Sequence, residues 1–288
     1  MGNTIGLTGS SGAIGSYLGA YLEKRQIKVM SLDPWTRGAQ RLATPSIEEP
    51  MEWVIHMAAH TTIEESWKDP FKYFTGNSNA TLSALEAAHV SKAKFIYISS
   101  YVYGSPQYLP VDEEHPVAPT NPYMESKLIS ERICAEVSNQ LDLTLTIFRP
   151  FHIYGPGGRP GRLITDLLSQ AIQGEALTLN DPEPRRDYLF VEDFCELVWL
   201  AINKPTFSTG IFNVGSGESY SNMEVAEAIR ELVDPDLKIV TRNNPRHEDV
   251  SDCSMTPHKV REAFGWRSNY SLRQGLRSIL AASSEIQN

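Results

Sequence analysis

The segment Thr8-Gly-Ser-Ser-Gly-Ala-Ile-Gly15 most constrains what this 288-residue chain folds into. Upstream, Thr4-Ile-Gly-Leu-Thr8 reads as a short buried strand. Downstream, Ile14, Tyr17, Leu18, Tyr21 and Leu22 recur at helical spacing, so a helix opens inside the glycine run. A strand that turns sharply into a helix aims several backbone N–H groups, and the positive end of the helix dipole, at one spot where diphosphates bind. Gly9 suits the tight turn, Gly12 close approach of the backbone to phosphate, and Gly15 close packing of helix on strand, with Ser11, Ala13 and Ile14 between them. Asp33 ends the next apolar run, Ile27 to Leu32. It stands where an acid hydrogen-bonds a ribose 2′-hydroxyl, or is a solvated turn residue.

Strand and helix patterns alternate from here on. Glu52 to Ala59 reads as a strand, Asn79 to His89 as a helix, Lys94 to Ile98 as a strand, Tyr123 to Asn139 as a long helix and Leu143 to Phe148 as a strand. Such alternation predicts an α/β fold with a doubly wound parallel sheet, whose ligands lie at the carboxyl ends of the strands. His56, Ser99, Ser100 and Arg149 fall at such ends. Only 19 residues separate Asp33 from Trp53, so this side of the sheet is expected to be trimmed, with Arg41 to Thr44 as at most a stub of strand. After Arg149-Pro150 the glycines and prolines of Gly155 to Gly161 mark a crossing or a mobile loop. The remainder reads as a smaller α/β lobe, with a helix over Leu163 to Gln173 and a strand over Asp187 to Val191.

A net charge of −9 argues against general nucleic-acid binding. Cys134, Cys195 and Cys253 are isolated, so neither a zinc site nor a disulfide framework is expected, and a reducing cytoplasm fits. No apolar run reaches membrane-spanning length.

Tyr123-Met-Glu-Ser-Lys127 carries the strongest catalytic signal. Residues at i and i+4 share a helix face, with Cβ atoms about 5–6 Å apart. A phenol titrates near ~10, too high for a base at neutral pH, and a neighbouring ammonium lowers it.

Five motifs then stand in one order: Gly9-x-x-Gly12-x-x-Gly15, His56-Met-Ala-Ala59, Ser99-Ser-Tyr-Val-Tyr-Gly104, Tyr123-x-x-x-Lys127 and Arg186-Asp-Tyr-Leu-Phe-Val191. With them the chain resembles an extended short-chain dehydrogenase/reductase of the nucleotide-sugar epimerase/dehydratase type, from residue 4 to about 280. The resemblance implies a Rossmann domain of residues 1–153 plus 187–214 and a substrate-binding lobe of 154–186 plus 215–288. It implies NAD as cofactor, with NADP as the alternative. Tyr123 would be the base and Lys127 its partner on the nicotinamide ribose. Counting five back from Gly104 puts the catalytic hydroxyl at Ser99, or at Ser100 if the register slips by one. Met57, Ala58, Ala59, Asn77 and Pro150 would line the cofactor, although Asn77 equally suits a helix cap. Arg186 and Arg246 would grip the nucleotide diphosphate, since a guanidinium fork binds phosphate bidentately.

Departures from the family pattern shape the expectation. His152 replaces the usual asparagine, and either takes over a phosphate contact, acts as an acid or simply packs. Ser100-Tyr101 stands where 4,6-dehydratases carry an Asp-Glu pair. Arg37 meets a 2′-phosphate or is solvated, and His56 reads as structural. The expected activity is NAD-dependent C4 epimerisation of a nucleotide-activated hexose. The alternatives are a keto-sugar-nucleotide reductase, an atypical dehydratase and a non-catalytic dinucleotide sensor. A homodimer through two long helices, one containing Tyr123, is common in the relatives that the resemblance implies.

Overall fold

The computed structural model describes residues 4–32, 50–204, 208–242, 244 and 250–286, with side chains to residue 282. The first elements are β1 (Thr4–Thr8), α1 (Ala13–Glu23), β2 (Lys28–Ser31), β3 (Trp53–His56), α2 (Ile63–Lys68), α3 (Pro70–Ser91), β4 (Lys94–Ile98), α4 (Pro122–Leu141) and β5 (Leu145–Pro150). Then come β6 (His152–Tyr154), α5 (Leu163–Ile172), β7 (Leu177–Leu179), β8 (Arg185–Phe190), α6 (Val191–Asn203) and β9 (Gly210–Val214). The chain closes with β10 (Ser219–Ser221), α7 (Asn222–Val233), β11 (Ile239–Thr241), α8 (His258–Phe264) and α9 (Leu272–Ile286). Among the described residues no helix is long and apolar enough to cross a membrane. The chain divides into two compact units, Met1–Gly104 with Val117–Pro150 and Cys195–Phe212, and Ser105–Pro116 with Phe151–Phe194 and Asn213–Asn288.

The first unit is built on a sheet of order β2-β1-β3-β4-β5-β9, six-stranded among the described residues. The pairings from β2 through to β5 are all parallel. Every residue of β1 and β3 is buried, as expected for central strands covered on both faces. On one face, Ala84, Leu85, Ala87 and Ala88 of α3 and Cys134 of α4 pack over Val54, Phe95, Tyr97 and Ile147. The small alanines let a long helix lie close to the strands. Each large apolar side chain buried this way stabilises the unit by about 1.5–3 kcal/mol.

Two helices start earlier than hydrophobic spacing indicates. The helix expected from Asn79 begins at Pro70, where the Asp69 carboxylate accepts the Lys72 N–H at 3.0 Å. The Tyr123 helix begins at Pro122, with the Asn121 side chain accepting the Met124 N–H at 2.9 Å. In both cases a capping side chain precedes a proline at the first helical position, where no N–H is needed.

In the second unit β8 lies between β6, parallel to it, and β10, antiparallel. β7 and β11 form a parallel pair. A capping box between Ser221 and Glu224 starts α7. Buried carboxylates hold its loops. Asp187 accepts the Ser216 N–H and hydroxyl and the Gly217 N–H at 2.7–2.8 Å. Asp193 accepts the backbone N–H groups of Asn269 and Tyr270 at 2.8 and 3.1 Å. The inserted segment Ser105–Pro116 joins this unit through Val111, which exchanges backbone hydrogen bonds with Ser254 and Thr256.

Candidate active site

In the first unit the turn between β1 and α1 requires glycine twice. Gly9 has φ +75°, and a Cβ there would stand 2.9 Å from the Ala58 nitrogen. A Cβ on Gly15 would stand 2.0 Å from the Gly9 carbonyl oxygen, so helix and turn touch through backbone alone. The α1 N-cap is Gly12, with no side-chain cap and no acidic residue in the first turn. The N–H groups of Ala13, Ile14 and Gly15 are therefore first-turn donors in a locally positive field. This cradle fits a dinucleotide diphosphate. Ser10 and Ser31 join hydroxyls at 2.7 Å, tying the turn to the end of β2. Asp33 and Arg37, together with Arg41 to Thr44, lie outside the described residues.

Thr8 clamps this turn to the next strand end. Its hydroxyl oxygen accepts the Met57 and Ala58 N–H groups at 3.0 and 3.1 Å and lies 2.6 Å from His56 Nδ1. With both lone pairs used, the Thr8 hydroxyl hydrogen goes to Nδ1, which places the imidazole proton on Nε2. Nε2 then donates to Thr81 Oγ1 at 3.1 Å, and Thr81 donates to the Asn77 carbonyl at 2.8 Å. Burial first, then the Lys127 charge, lowers the His56 pKa to about 3. His56 is a neutral structural link.

Tyr123 is half-buried on the first turn of α4, and Lys127 lies buried one turn on. The Lys127 ammonium donates to the Ile98 carbonyl at 2.7 Å and sits 4.4 Å above the Tyr97 ring. Burial lowers its pKa to about 8, against the raising influence of Cys134 and Glu131. Asn77 is not a helix cap but a buried joint in the interior of α3. Its Oδ1 accepts the His60 N–H at 2.8 Å, and its Nδ2 donates to the His60 carbonyl and to Ser126 Oγ at 3.3 and 2.8 Å. Ser126 in turn donates to the Tyr123 carbonyl at 2.7 Å. Asn77 thus links the loop after β3 to the first turn of α4.

The two serines after β4 have different surroundings. Ser99 is buried, and its hydroxyl donates to Glu131 Oε1 at 2.5 Å. Glu131 is itself buried and paired with Arg149, whose Nε and Nη2 donate to the two carboxylate oxygens at 2.9 and 2.6 Å. Arg149 Nη1 also donates to the Tyr103 hydroxyl at 2.8 Å. Ser100 is half-buried. The five-residue count from Gly104 therefore lands on a hydroxyl committed to an internal carboxylate, whereas its neighbour is half-buried. Tyr101 turns inward, donating to the Gly104 carbonyl at 2.5 Å. Pro150 is the buried last residue of β5.

In the second unit His152 and Arg186 lie on the parallel strands β6 and β8. Arg186 Nη1 donates to the Arg185 and Val250 carbonyls at 2.7 and 2.5 Å. Arg185 turns instead to Ser219 and to Glu224. His152 Nδ1 lies 3.9 Å from Cys253 Sγ. Burial, then the charges of Arg186 and Arg162, lowers the His152 pKa to about 3. Burial also pushes the Cys253 thiol up to about 12. Arg246 lies outside the described residues.

The description of the NAD dependent epimerase/dehydratase family matches residues 5–215, most of the chain. The chain belongs to this family. It is an enzyme of the extended short-chain dehydrogenase/reductase type, in a family whose cofactor is NAD. It is 29% identical over 306 residues to the UDP-glucose 4-epimerase of Lacticaseibacillus casei, covering 93% of this chain and 92% of that one. It is 28% identical over 299 residues to the GDP-6-deoxy-D-mannose reductase of Pseudomonas aeruginosa, covering 98% and 97%. The structure of RMD from Pseudomonas aeruginosa, complexed with NADPH, superposes with a TM-score of 0.88 at 27% identity, covering 99% of each chain.

For this epimerase/dehydratase family member, motif reading passed over Thr8, Ser126 and Glu131. Glu131 carried a signal: it continues the Tyr123, Lys127 spacing by another four residues, onto the helix face that turns inward.

Proposed function

We propose that this family member is an NAD-dependent 4-epimerase of a nucleotide-activated hexose. The first unit would take the dinucleotide, on the backbone of Gly9 to Gly15 with Ser11, beside Met57, Ala58, Ala59 and Pro150, with Asp33 on the adenosine ribose. The second would take the nucleotide diphosphate, on Arg186, Arg246 and a neutral His152. The observation that carries the reading is the α4 face, where a half-buried Tyr123 precedes a buried Lys127 pinned to the Ile98 carbonyl.

Tyr123 takes the proton of the sugar C4 hydroxyl, and Lys127 holds a positive charge that favours the phenolate. Ser100, rather than Ser99, hydrogen-bonds the same oxygen as it becomes a carbonyl, and Tyr123 returns the proton. Bound NAD supplies the hydride acceptor and, on return, the donor. The buried Tyr101, already spent on Gly104, leaves no acid at the position that 4,6-elimination uses. The reductase reading rests on the similarity to the Pseudomonas aeruginosa enzyme over nearly the full length of both chains.

Denaturing the purified protein and identifying the released nucleotides by mass spectrometry separates the two. Stoichiometric NAD supports an epimerase that recycles its cofactor. An empty site or NADP moves the assignment to a reductase. Exposed Phe71, Leu82 and Val90 on α3 support a homodimer through α3 and α4.

A further inference from the structure

Two consecutive residues at the end of β4 are gripped by two residues one turn apart on α4. The Ile98 carbonyl takes the Lys127 ammonium at 2.7 Å, and the Ser99 hydroxyl gives its hydrogen to Glu131 at 2.5 Å. The next residue is Ser100. Glu131 does not hold Ser99 alone. Its carboxylate is fixed by two donors of Arg149 from β5, and Arg149 is fixed in turn by the Tyr103 hydroxyl four residues beyond Ser99. Ser99, Glu131 and Arg149 are all buried. A buried carboxylate that loses its partners is costly, so this arrangement has one favoured geometry.

We propose that Glu131 and Arg149 are positioning residues, which act through Ser99 to fix the strand end that presents Ser100 and, with it, the Ile98 carbonyl that seats Lys127. The proposal rests on the assignment of Ser100 and Lys127 to the chemistry. The three are buried and act without touching substrate in this proposal. A catalytic hydroxyl displaced by a fraction of an ångström loses rate while binding is spared, because the lost interaction belongs to the transition state. Glu131 has a second effect. The groups facing Lys127 are Cys134 and Glu131 on α4, the Tyr97 ring and the Ile98 carbonyl on β4 and neutral His56 on β3, and Glu131 is among those that support the charged ammonium.

The test uses the full-length protein in two arms. In the first, Ser99→Ala lowers kcat with UDP-glucose about tenfold while KM and NAD affinity hold within about twofold, and Ser99→Thr restores the rate. Parental kcat in Ser99→Ala, or no rescue by Ser99→Thr, overturns the proposal. The second arm needs no turnover: the Lys127 Nζ resonance of 15N-lysine-labelled protein is titrated by NMR, assigned with Lys127→Met. The Glu131→Gln/Arg149→Met pair strands neither member of the ion pair, and by removing the Glu131 charge it lowers the Lys127 midpoint by about half a pH unit or more. An unmoved midpoint overturns the proposal. If the parent does not turn over UDP-glucose, that sugar nucleotide is not its substrate, and the titration still decides the clasp.

Discussion

The Lys127 ammonium lies 2.7 Å from the Ile98 carbonyl oxygen in a fully buried place, and the placement costs stability. Burial lowers the pKa from 10.5 to about 8, so below pH 8 the fold carries a buried charge that the unfolded chain keeps in water. Between pH 8 and 10.5 the unfolded state binds more protons, and stability from this group rises with pH. Lys127→Met should therefore unfold about 1–3 kcal/mol harder than the parent at pH 7, the Ile98 carbonyl losing its partner in partial offset. The gap should narrow from pH 8 upward, with turnover abolished throughout. Denaturant titrations across pH check the sign.

Tyr123→Phe keeps the ring and removes the proton acceptor. Turnover should fall at least about 100-fold, with nucleotide binding intact by thermal shift. Retained activity sinks the role of Tyr123.

Thr8 satisfies two backbone N–H groups and one imidazole nitrogen with a single hydroxyl. Thr8→Val, nearly the same shape, orphans all three and should cost about 3 kcal/mol in urea unfolding, whereas Thr8→Ser should cost about 1 kcal/mol or less.

Gly15→Ala places a Cβ 2.0 Å from the Gly9 carbonyl. The turn must open, so NAD binding should weaken more than tenfold while stability drops by about 1–3 kcal/mol. Calorimetry with NAD reads the first and thermal unfolding the second.

A homodimer should sediment at twice the chain mass, and Leu82→Glu should shift it toward the monomer without unfolding it. A monomeric parent removes the dimer.

The parallel sheet and the glycine turn between β1 and α1 were legible because period and glycine spacing act locally. Asp69-Pro70 announces the start of α3, but the polar run Thr75 to Asn79 masks the apolar period that would have extended the helix back. The different surroundings of Ser99 and Ser100 were not legible. They depend on Glu131, 32 residues further on, and on Arg149 from another strand, a contact that no local pattern contains. His56 reads as structural from the sequence, but the partners that make it so, Thr8 and Thr81 on its two nitrogens, come from separate elements and show only in the fold.

The most direct test of the central claim is to incubate the enzyme, without added cofactor, with UDP-glucose carrying deuterium at C4, and to follow it by NMR. A 4-epimerase yields the C4-inverted sugar nucleotide with the deuterium still on C4 and none lost to solvent. Failure to invert C4, or inversion with deuterium lost, contradicts the account.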